Sequence, residues 1–397
     1  MWRLGFFFHE IAFGLLSVFI PLYVVGPAIG GTLVDIGIMT SLALFLTIPA
    51  SFFWGYICDK TRRYKLYILL SFISIAVLLF LFTLATNVVM FIVLYVAMSM
   101  LHVAHEAPKN ILIAEHYSRD EWERSFAFYE GLTEIGFLLG LLIGLFASAL
   151  SFSGSFVLFL CSGLNIAAFV LSIFFVADPL LIFERRLVGI ERKIDYACRG
   201  AGAFSTLSDG LPLREKFRGD SFLGFGLGLV FFSLASSIFF TPLPIFFSQE
   251  LALPASMVFL VYMLNSGGAM VGYFFISNRA RYIDAKKQLR RMVFLRGFII
   301  FLLVAVVNFA FSPTLISGAI LVLLGFAFAV YSILIISLSM ELIPAGRTGI
   351  IDVLIGLGAA IGSFFGPYIA ETFGYLPQFL IAGAIFFLAY AILKILS

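Results

Sequence analysis

The sequence predicts an all-α integral membrane protein of about twelve transmembrane helices, and three observations support this fold class. First, 62% of the 397 residues are hydrophobic and only 12% are charged, whereas about 25% of residues are charged in an average soluble domain. Second, apolar stretches of membrane-spanning length recur along the whole chain. Third, the basic residues fall in alternate loops between these stretches. Such a chain has too little polar surface to cover itself in water, so its outside is expected to face lipid.

Twelve apolar stretches are long enough to cross a bilayer core, which needs about 20 apolar residues per helix. The first stretch begins at Leu4 and has no small-residue cleavage motif, so we interpret it as a retained span and not as a signal peptide. The predicted spans are 4–25, 32–57, 66–85, 88–114, 123–149, 155–177, 221–247, 255–277, 292–311, 314–340, 348–370 and 376–395.

The positions of Lys and Arg set the predicted orientation. Cytoplasmic loops carry an excess of these residues, and opposite loops such as 26–31, 151–154, 312–314 and 373–376 contain none. We therefore predict that both termini lie on the cytoplasmic side of the cell membrane. The basic residues on that side are Arg3, Lys60, Arg62, Arg63, Lys65, Arg119, Arg124, those within 185–218 and 279–291, Arg347 and Lys394.

The longest polar segment, 178–220, separates two sets of six predicted spans. We interpret it as a cytoplasmic linker between an amino-terminal bundle, 1–177, and a carboxy-terminal bundle, 221–397. Internal repeats of this kind are common in transporter folds. The two halves also echo each other in the order of their elements, because a basic loop follows the second span of each half.

Glycines spaced four apart occur in the fifth and in the eleventh predicted span. Such glycines lie on one helix face and let two helix backbones approach closely. We interpret them as packing surfaces that also permit one helix to rock against another. They are Gly136, Gly140, Gly144, Gly358, Gly362 and Gly366.

The basic loop after the second span carries the most specific motif. The pattern reads Gly, three residues, Asp, a basic residue, one residue, Gly and then basic residues. It is matched by Gly55, Asp59, Lys60 and Arg63, whereas Arg62 stands where the pattern has its second Gly. The loop thereby resembles the signature between helices two and three of the major facilitator superfamily. The stretches 108–124 and 341–347 also look like that family's helix 4–5 and 10–11 connections.

The resemblance implies alternating access between two six-helix bundles in a protein that is a monomer. It implies that Asp59 caps the helix starting near 347–349, where a carboxylate is favoured by the helix dipole. The motif would then form a cytoplasmic gate that favours the outward-open form of the protein. Its residues are Gly55, Asp59, Lys60, Arg62 and Arg63. The other interpretation is a charge cluster that only sets the orientation of the chain.

Ionisable residues inside predicted spans are costly and usually functional. On a continuous helix, His102, His105, Glu106 and Lys109 share a stripe about 100° wide. The fifth span adds Glu130 and Glu134, and the first adds His9 and Glu10. The family resemblance implies that helices one, four and five line one central cavity, where these groups would meet.

Two interpretations of these charges remain open. In the functional one, six residues bind solute or couple its transport to protons: Glu106, Lys109, Glu134, His102, His105 and Glu10. Glu106 or Glu134 would take up and release the proton. In the static one, Glu106 pairs with Lys109, and Glu130 or Glu134 pairs with Arg124 or the loop arginines. For Glu130 we favour the static interpretation.

The second half is poorer in such groups. Its mid-span polar residues are mainly Asn265, Asn308 and Tyr331, while Asp352 is interpreted as a structural acid. We therefore expect any ion coupling in the first half and an apolar, aromatic wall in the second.

No motif for an enzyme is present. The chain has no phosphate-binding loop, no nucleophile elbow and no His-Glu-x-x-His pattern. Cys58, Cys161 and Cys198 show no metal-ligand spacing. We therefore expect no enzymatic activity, no cofactor, no metal and no nucleic-acid partner.

The sequence as a whole predicts a secondary transporter, proton-coupled or facilitative, for a small organic solute, with export slightly favoured over uptake. Two alternatives stay open. One is a membrane enzyme or sensor on a transporter-like scaffold, in which the stripe of His102, His105 and Glu106 would be a metal site or an acid–base site. The other is a lipid or lysolipid flippase with a cavity that opens towards the bilayer.

Overall fold

The computed structural model describes residues 2–116, 122–178, 221–279, 284–309, 313–342 and 349–395, and these residues form helices joined by short turns. Helices lie at each of the twelve predicted stretches. The helices are α1 Arg3–Val25, α2 Leu33–Thr61, α3 Tyr64–Phe82, α4 Val88–His102, α5 Glu106–His116, α6 Trp122–Ala149, α7 Gly154–Phe175, α8 Ser221–Phe240, α9 Ala255–Arg279, α10 Ala285–Phe309, α11 Pro313–Leu342, α12 Gly349–Phe373 and α13 Tyr375–Ile395.

Two of the predicted spans are not regular α-helices. A 3₁₀ turn, Val103–His105, separates α4 from α5 within one predicted span. After α8, the chain continues through a short turn, Leu243–Ile245, into a π-helical segment, Phe246–Glu250. Over the described residues, eleven spans are long and apolar enough to cross a membrane. Helix α10, which carries Lys286, Lys287, Arg290 and Arg291 in its first two turns, is not among these eleven.

Side-chain caps mark three helix starts on loops that lack basic residues. At the start of α2, the Thr32 N–H donates to the Asp35 carboxylate at 2.8 Å and the Asp35 N–H donates to the Thr32 hydroxyl at 3.2 Å. This capping box satisfies two N–H groups that a helix start leaves unpaired. Asn87 caps α4 and Ser153 caps α7 in the same way, through single bonds.

The same five helix pairings occur in the first and in the second half of the chain. In the first half α1 packs on α6 and α7, α3 on α7 and α4, and α2 on α4. In the second half α8 packs on α12 and α13, α10 on α13 and α11, and α9 on α11. Extensive contacts between the two sets run along two seams, α2 with α12 and α6 with α9.

The glycines spaced four apart lie at the corresponding crossings. A Cβ at Gly136 would meet the Phe7 carbonyl oxygen at 2.9 Å, and one at Gly140 would clash with the Ile11 carbonyl oxygen, so α6 rests on the backbone of α1. Gly144 instead faces the ring of Phe259 in α9. In the second half the three glycines of α12 all lie against the backbone of α8; they are Gly358, Gly362 and Gly366.

Candidate functional site

A cavity of about 570 Å³ lies between the two sets of helices. Its wall combines residues of α1, α2, α4 and α6 with residues of α8 to α12. Rings such as Phe13, Tyr95 and Phe137 give it apolar surfaces, and hydroxyl groups such as those of Thr40 and Ser237 give it polar ones. The cavity can therefore hold a small molecule that is apolar over most of its surface and polar at a few points.

The side chain of Arg296 lines this cavity from α10 and is only 1% exposed. Among the described residues that line the cavity, it alone is charged. Sequence reasoning missed Arg296, although a signal was available. The residue stands four positions inside the predicted span 292–311, where any ionisable side chain is a candidate for function.

The predicted stripe of ionisable residues is divided by the 3₁₀ turn, because the backbone is not one continuous α-helix there. Beyond the turn, Lys109 Nζ lies 2.6 Å from Glu106 Oε2. The His105 ring bonds on both sides, to the Ser71 hydroxyl at 3.1 Å through Nδ1 and to Glu106 Oε1 at 3.3 Å through Nε2. Glu106 and Lys109 thus form the ion pair of the static interpretation, and His105 extends it.

Removing the cation of this pair is expected to destabilise the protein. Lys109→Met leaves the Glu106 carboxylate without its ammonium partner, and breaking a fully buried pair costs about 3–5 kcal/mol. Because the Glu106 side chain is 39% exposed and that of Lys109 is 14% exposed, we expect about 2 kcal/mol. Thermal unfolding in detergent measures the loss, and the double variant Glu106→Gln/Lys109→Met should recover part of it. Equal losses in the single and double variants would contradict the pairing.

The imidazole of His9 connects α1 to α4 and α7. His9 Nδ1 lies 2.7 Å from Asn165 Oδ1, and His9 Nε2 lies 3.3 Å from His102 Nδ1. The His102 ring in turn packs on Phe13, a wall residue of the cavity, with centroids 4.4 Å apart. The sequence grouped His9 with the other ionisable residues, but Asn165, on a helix not considered for the site, was missed.

The three imidazoles come close enough to raise the question of a metal. One ring nitrogen from each of His9, His102 and His105 lies within 4.8 Å of the others. However, both ring nitrogens of His9 and both of His105 already have hydrogen-bond or ion-pair partners within the described residues. These partners suit a hydrogen-bonded chain better than a set of free metal ligands, which need an available lone pair.

The remaining acidic side chains lie around the same ion pair. Glu10 and Glu130 interact electrostatically with Lys109, and Glu130 also interacts with Glu134. Glu134 Oε1 accepts a hydrogen bond from the Ser266 hydroxyl at 2.5 Å. This bond crosses the seam from α6 to α9, a partner that no sequence pattern indicated.

The ionisable cluster adjoins the cavity along three helices. In each helix, a member of the cluster is separated by three positions, about one turn, from a residue of the cavity wall. The pairs are Glu10 and Phe13 in α1, Ser99 and His102 in α4, and Glu134 and Phe137 in α6.

The gate motif lies at the end of α2. Asp59 and Lys60 are exposed there. The resemblance pairs Asp59 with the helix start near 347–349. Residues 347 and 348 lie outside the described residues, as does the side chain of Arg124, while α12 begins at Gly349. On the next helix, the Lys65 N–H donates to the Asp178 carboxylate at 2.8 Å, so the first residue of the predicted linker caps α3.

Arg62 ends α2 in the left-handed conformation, with φ 55° and ψ 28°. Glycine adopts this conformation without the steric cost of about 1–2 kcal/mol that other residues meet. We therefore expect Arg62→Gly to raise the stability of the protein by about 1 kcal/mol in thermal unfolding. Arg63→Gly is the matched control, because Arg63 has a negative φ of −103° and should gain nothing. A lower melting temperature for Arg62→Gly would contradict this explanation.

Comparisons with known proteins agree with this architecture. A model of the Major Facilitator Superfamily matches residues 4–351. No curated protein sequence matches the chain. Among solved structures, the human organic anion transporter MFSD10 (TETRAN) is similar with a TM-score of 0.66 and 16% identity, over 99% of this chain and 97% of that chain. A mutant of the nucleoside transporter NupG is similar with a TM-score of 0.74 and 13% identity, over 99% and 98%. These two likenesses concern the fold alone, but the family model covers most of the sequence, and the chain therefore belongs to the Major Facilitator Superfamily.

Proposed function

We propose that this protein is a proton-coupled secondary transporter that moves a small organic solute across the membrane by alternating access. Family membership supports transport of a small solute and a transporter in preference to an enzyme. The observation that carries the finer proposal is the central cavity, whose wall comes from both halves and adjoins a cluster of partly buried carboxyl groups. A solute and a proton would therefore bind one helical turn apart.

Rocking of the two halves would open the cavity to one side at a time. The halves, 1–177 and 221–397, meet along the α2–α12 and α6–α9 seams. The glycine faces pack helices within each half, α6 on α1 and α12 on α8, with backbone in contact, so each half would move as one packed unit. The moving units would be the two six-helix bundles of a monomer in the cell membrane. Both termini and the linker 178–220 would lie on the cytoplasmic side.

The hydrogen bond from Ser266 to Glu134 would connect the proton to this movement. The bond crosses the α6–α9 seam, so separating these helices breaks it. A charged carboxylate that loses its donor in a low-dielectric seam is costly, whereas a protonated one is much less so. Uptake of a proton by Glu134 would therefore favour the form in which the seam is open.

The other carboxyl groups would set the net charge around Glu134. Glu106 is held by Lys109 and His105, so we assign it a fixed role. Glu10 and Glu130 compete for the charge of the same Lys109. Like charges in a dry environment resist ionising together, and a proton shared among Glu10, Glu130 and Glu134 would relieve that repulsion.

The two similar structures do not indicate which solute this chain transports. One is named for organic anions and the other for nucleosides, so the fold accommodates different chemistries. The solute class has to be argued from the cavity wall of this chain.

The proposal is tested by gradient-driven uptake in proteoliposomes of purified protein. Labelled sugars, amino acids, nucleosides and organic acids are offered with and without an imposed pH gradient. We expect one class to accumulate, and to stop accumulating when a protonophore collapses the gradient. Protein-free vesicles are the control. Accumulation that ignores the pH gradient would overturn proton coupling, and no flux of any class would overturn solute transport.

A further inference from the structure

We propose that Arg296 binds the anionic group of the transported solute, so that the cavity selects small organic monoanions with an apolar body. This inference rests on the proposed transport function and names the substrate class of the same cavity. Three observations support it: the position of Arg296 in the wall, its lack of a counter-charge, and the hydrogen-bonding atoms without partners around the cavity.

Arg296 is surrounded by aromatic rings. Its guanidinium carbon lies over the rings of four phenylalanines, at 5.0 to 5.4 Å from their centroids. They are Phe232, Phe240, Phe328 and Phe386. Such faces attract a cation and hold it in place. They do not replace the oxygen acceptors to which guanidinium N–H groups donate.

No acidic side chain neutralises Arg296 within the part of the chain that the structure describes. It forms no ion pair there, and the cavity wall around it contains no Asp or Glu. Removing one partner of a buried charge pair is strongly unfavourable because the other charge is left uncompensated. An arginine without an acidic partner among the described residues is therefore suited to a counter-charge that arrives with the solute.

Four residues of the cavity wall carry buried polar atoms that lack hydrogen-bond partners within the described structure. Arg296 has Nε and Nη1 in this state, Ser236 and Tyr262 have their hydroxyl oxygens, and Asn265 has its side-chain oxygen. Buried polar atoms are bonded in the great majority of cases, so four such residues on one cavity are unusual. The guanidinium and the two hydroxyls can all donate to the oxygens of a carboxylate or sulfonate.

The charge and shape of the wall define the class of anion. One arginine matches one negative charge, and the described wall offers no second cation for a diphosphate or a dicarboxylate. Lys109 is bonded to Glu106 and is not part of the wall. The apolar rings of Phe13 and Phe137 suit a hydrocarbon or aromatic body, and about 570 Å³ is within the usual range for small-molecule sites.

The test on the wild-type protein compares ligands of one shape and three charges. Benzoate, benzamide and benzamidinium are added at constant ionic strength, together with p-toluenesulfonate and p-toluenesulfonamide, and melting temperature is followed. A ligand that binds only the folded state raises the melting temperature. We expect saturable stabilisation by the two anions and little by the neutral or cationic partners. Stabilisation by the amide or the amidinium in preference to benzoate, or by none of the five, would overturn the inference.

Variants then assign the effect to Arg296. We expect Arg296→Met to weaken anion binding by about ten- to a hundredfold, the loss expected for hydrogen bonds to a charged group. Arg296→Lys keeps the charge without the planar fork and should be intermediate. Arg291→Met is the control, because Arg291 is exposed on the same helix and is absent from the cavity wall. Equal anion affinity in Arg296→Met, or a loss in Arg291→Met of the same size, would also overturn the inference.

Failure of this inference and failure of the proposed function have different outcomes. Proton-coupled flux of benzamide without any flux of p-toluenesulfonate keeps the transport function and removes the anion site. Binding of p-toluenesulfonate that depends on Arg296, without flux of any solute, keeps the anion site and removes the transport function.

Discussion

Glu134→Gln is expected to abolish accumulation of solute driven by a pH gradient while leaving solute exchange across the membrane. The glutamine keeps the size of the side chain and can still accept the hydrogen bond from Ser266, but it cannot bind or release a proton. The helix seam would then open and close without regard to pH. Uptake with and without a gradient, and exchange of labelled for unlabelled solute at equal pH, measure the two activities in the same vesicles. We expect at least a tenfold loss of the first and little change in the second.

The matched control removes an acidic group elsewhere. Glu250→Gln changes an exposed carboxylate in the π-helical segment after α8, and its accumulation should equal that of the wild type. A Glu134→Gln protein that still accumulates solute in response to pH would show that the coupling proton binds another group. Glu10→Gln and Glu130→Gln would then be the next variants to compare.

Gly140→Ala should produce a large loss of both stability and transport. The new methyl group would clash with the carbonyl oxygen of Ile11 and lie 2.8 Å from the Leu15 nitrogen. Both are backbone atoms of α1, so the clash cannot be relieved by a side-chain rotation. Overpacking of this kind costs about 1–3 kcal/mol, and we expect a value near the upper end because two helices must separate.

Gly163→Ala provides the comparison for this substitution. Gly163 lies in α7, and an added Cβ there meets nothing within 4 Å. Alanine is also the better helix former by about 1 kcal/mol, so Gly163→Ala should leave the melting temperature equal or higher. If both variants melt alike, close packing of α6 on α1 does not determine the stability of this bundle.

The positions of the helices could be predicted from the sequence because the bilayer imposes a local rule. About 20 apolar residues must occur together for each span, and a helix lies at every stretch that meets this rule. The glycine faces follow from spacing in the same way. The resemblance of the loop at Gly55–Arg63 to the major facilitator signature is confirmed at the level of the family.

The arrangement of the site depends on contacts that are distant in sequence. Ser266 lies 132 residues from Glu134, and Asn165 lies 156 residues from His9, so no periodic pattern relates either pair. The break at Val103–His105 was also missed, since an apolar run does not show where a helix tightens. Gly268 and Gly272 of α9 are also spaced four apart and lie against the backbone of α11, but this pair was missed in the sequence.

Arg296 was missed for a different reason. Basic residues are dense just before it, at Arg290 and Arg291, and these dominate any count of loop charges. The structure separates them, because Arg291 is exposed and Arg296 is 1% exposed in the cavity wall. Burial of one arginine in a group of basic residues is a property of the folded bundle.

The most direct test of proton-coupled transport is proton movement driven by the solute itself. Proteoliposomes with an internal pH dye start at equal pH inside and outside, and a gradient of the solute found in the uptake panel is imposed. Where that solute is an acid, a sulfonate is used, because a weak carboxylic acid carries protons through lipid unaided. We expect proton coupling to produce an internal pH change that is proportional to solute flux and absent in Glu134→Gln. Solute flux in the wild type without any pH change would contradict it.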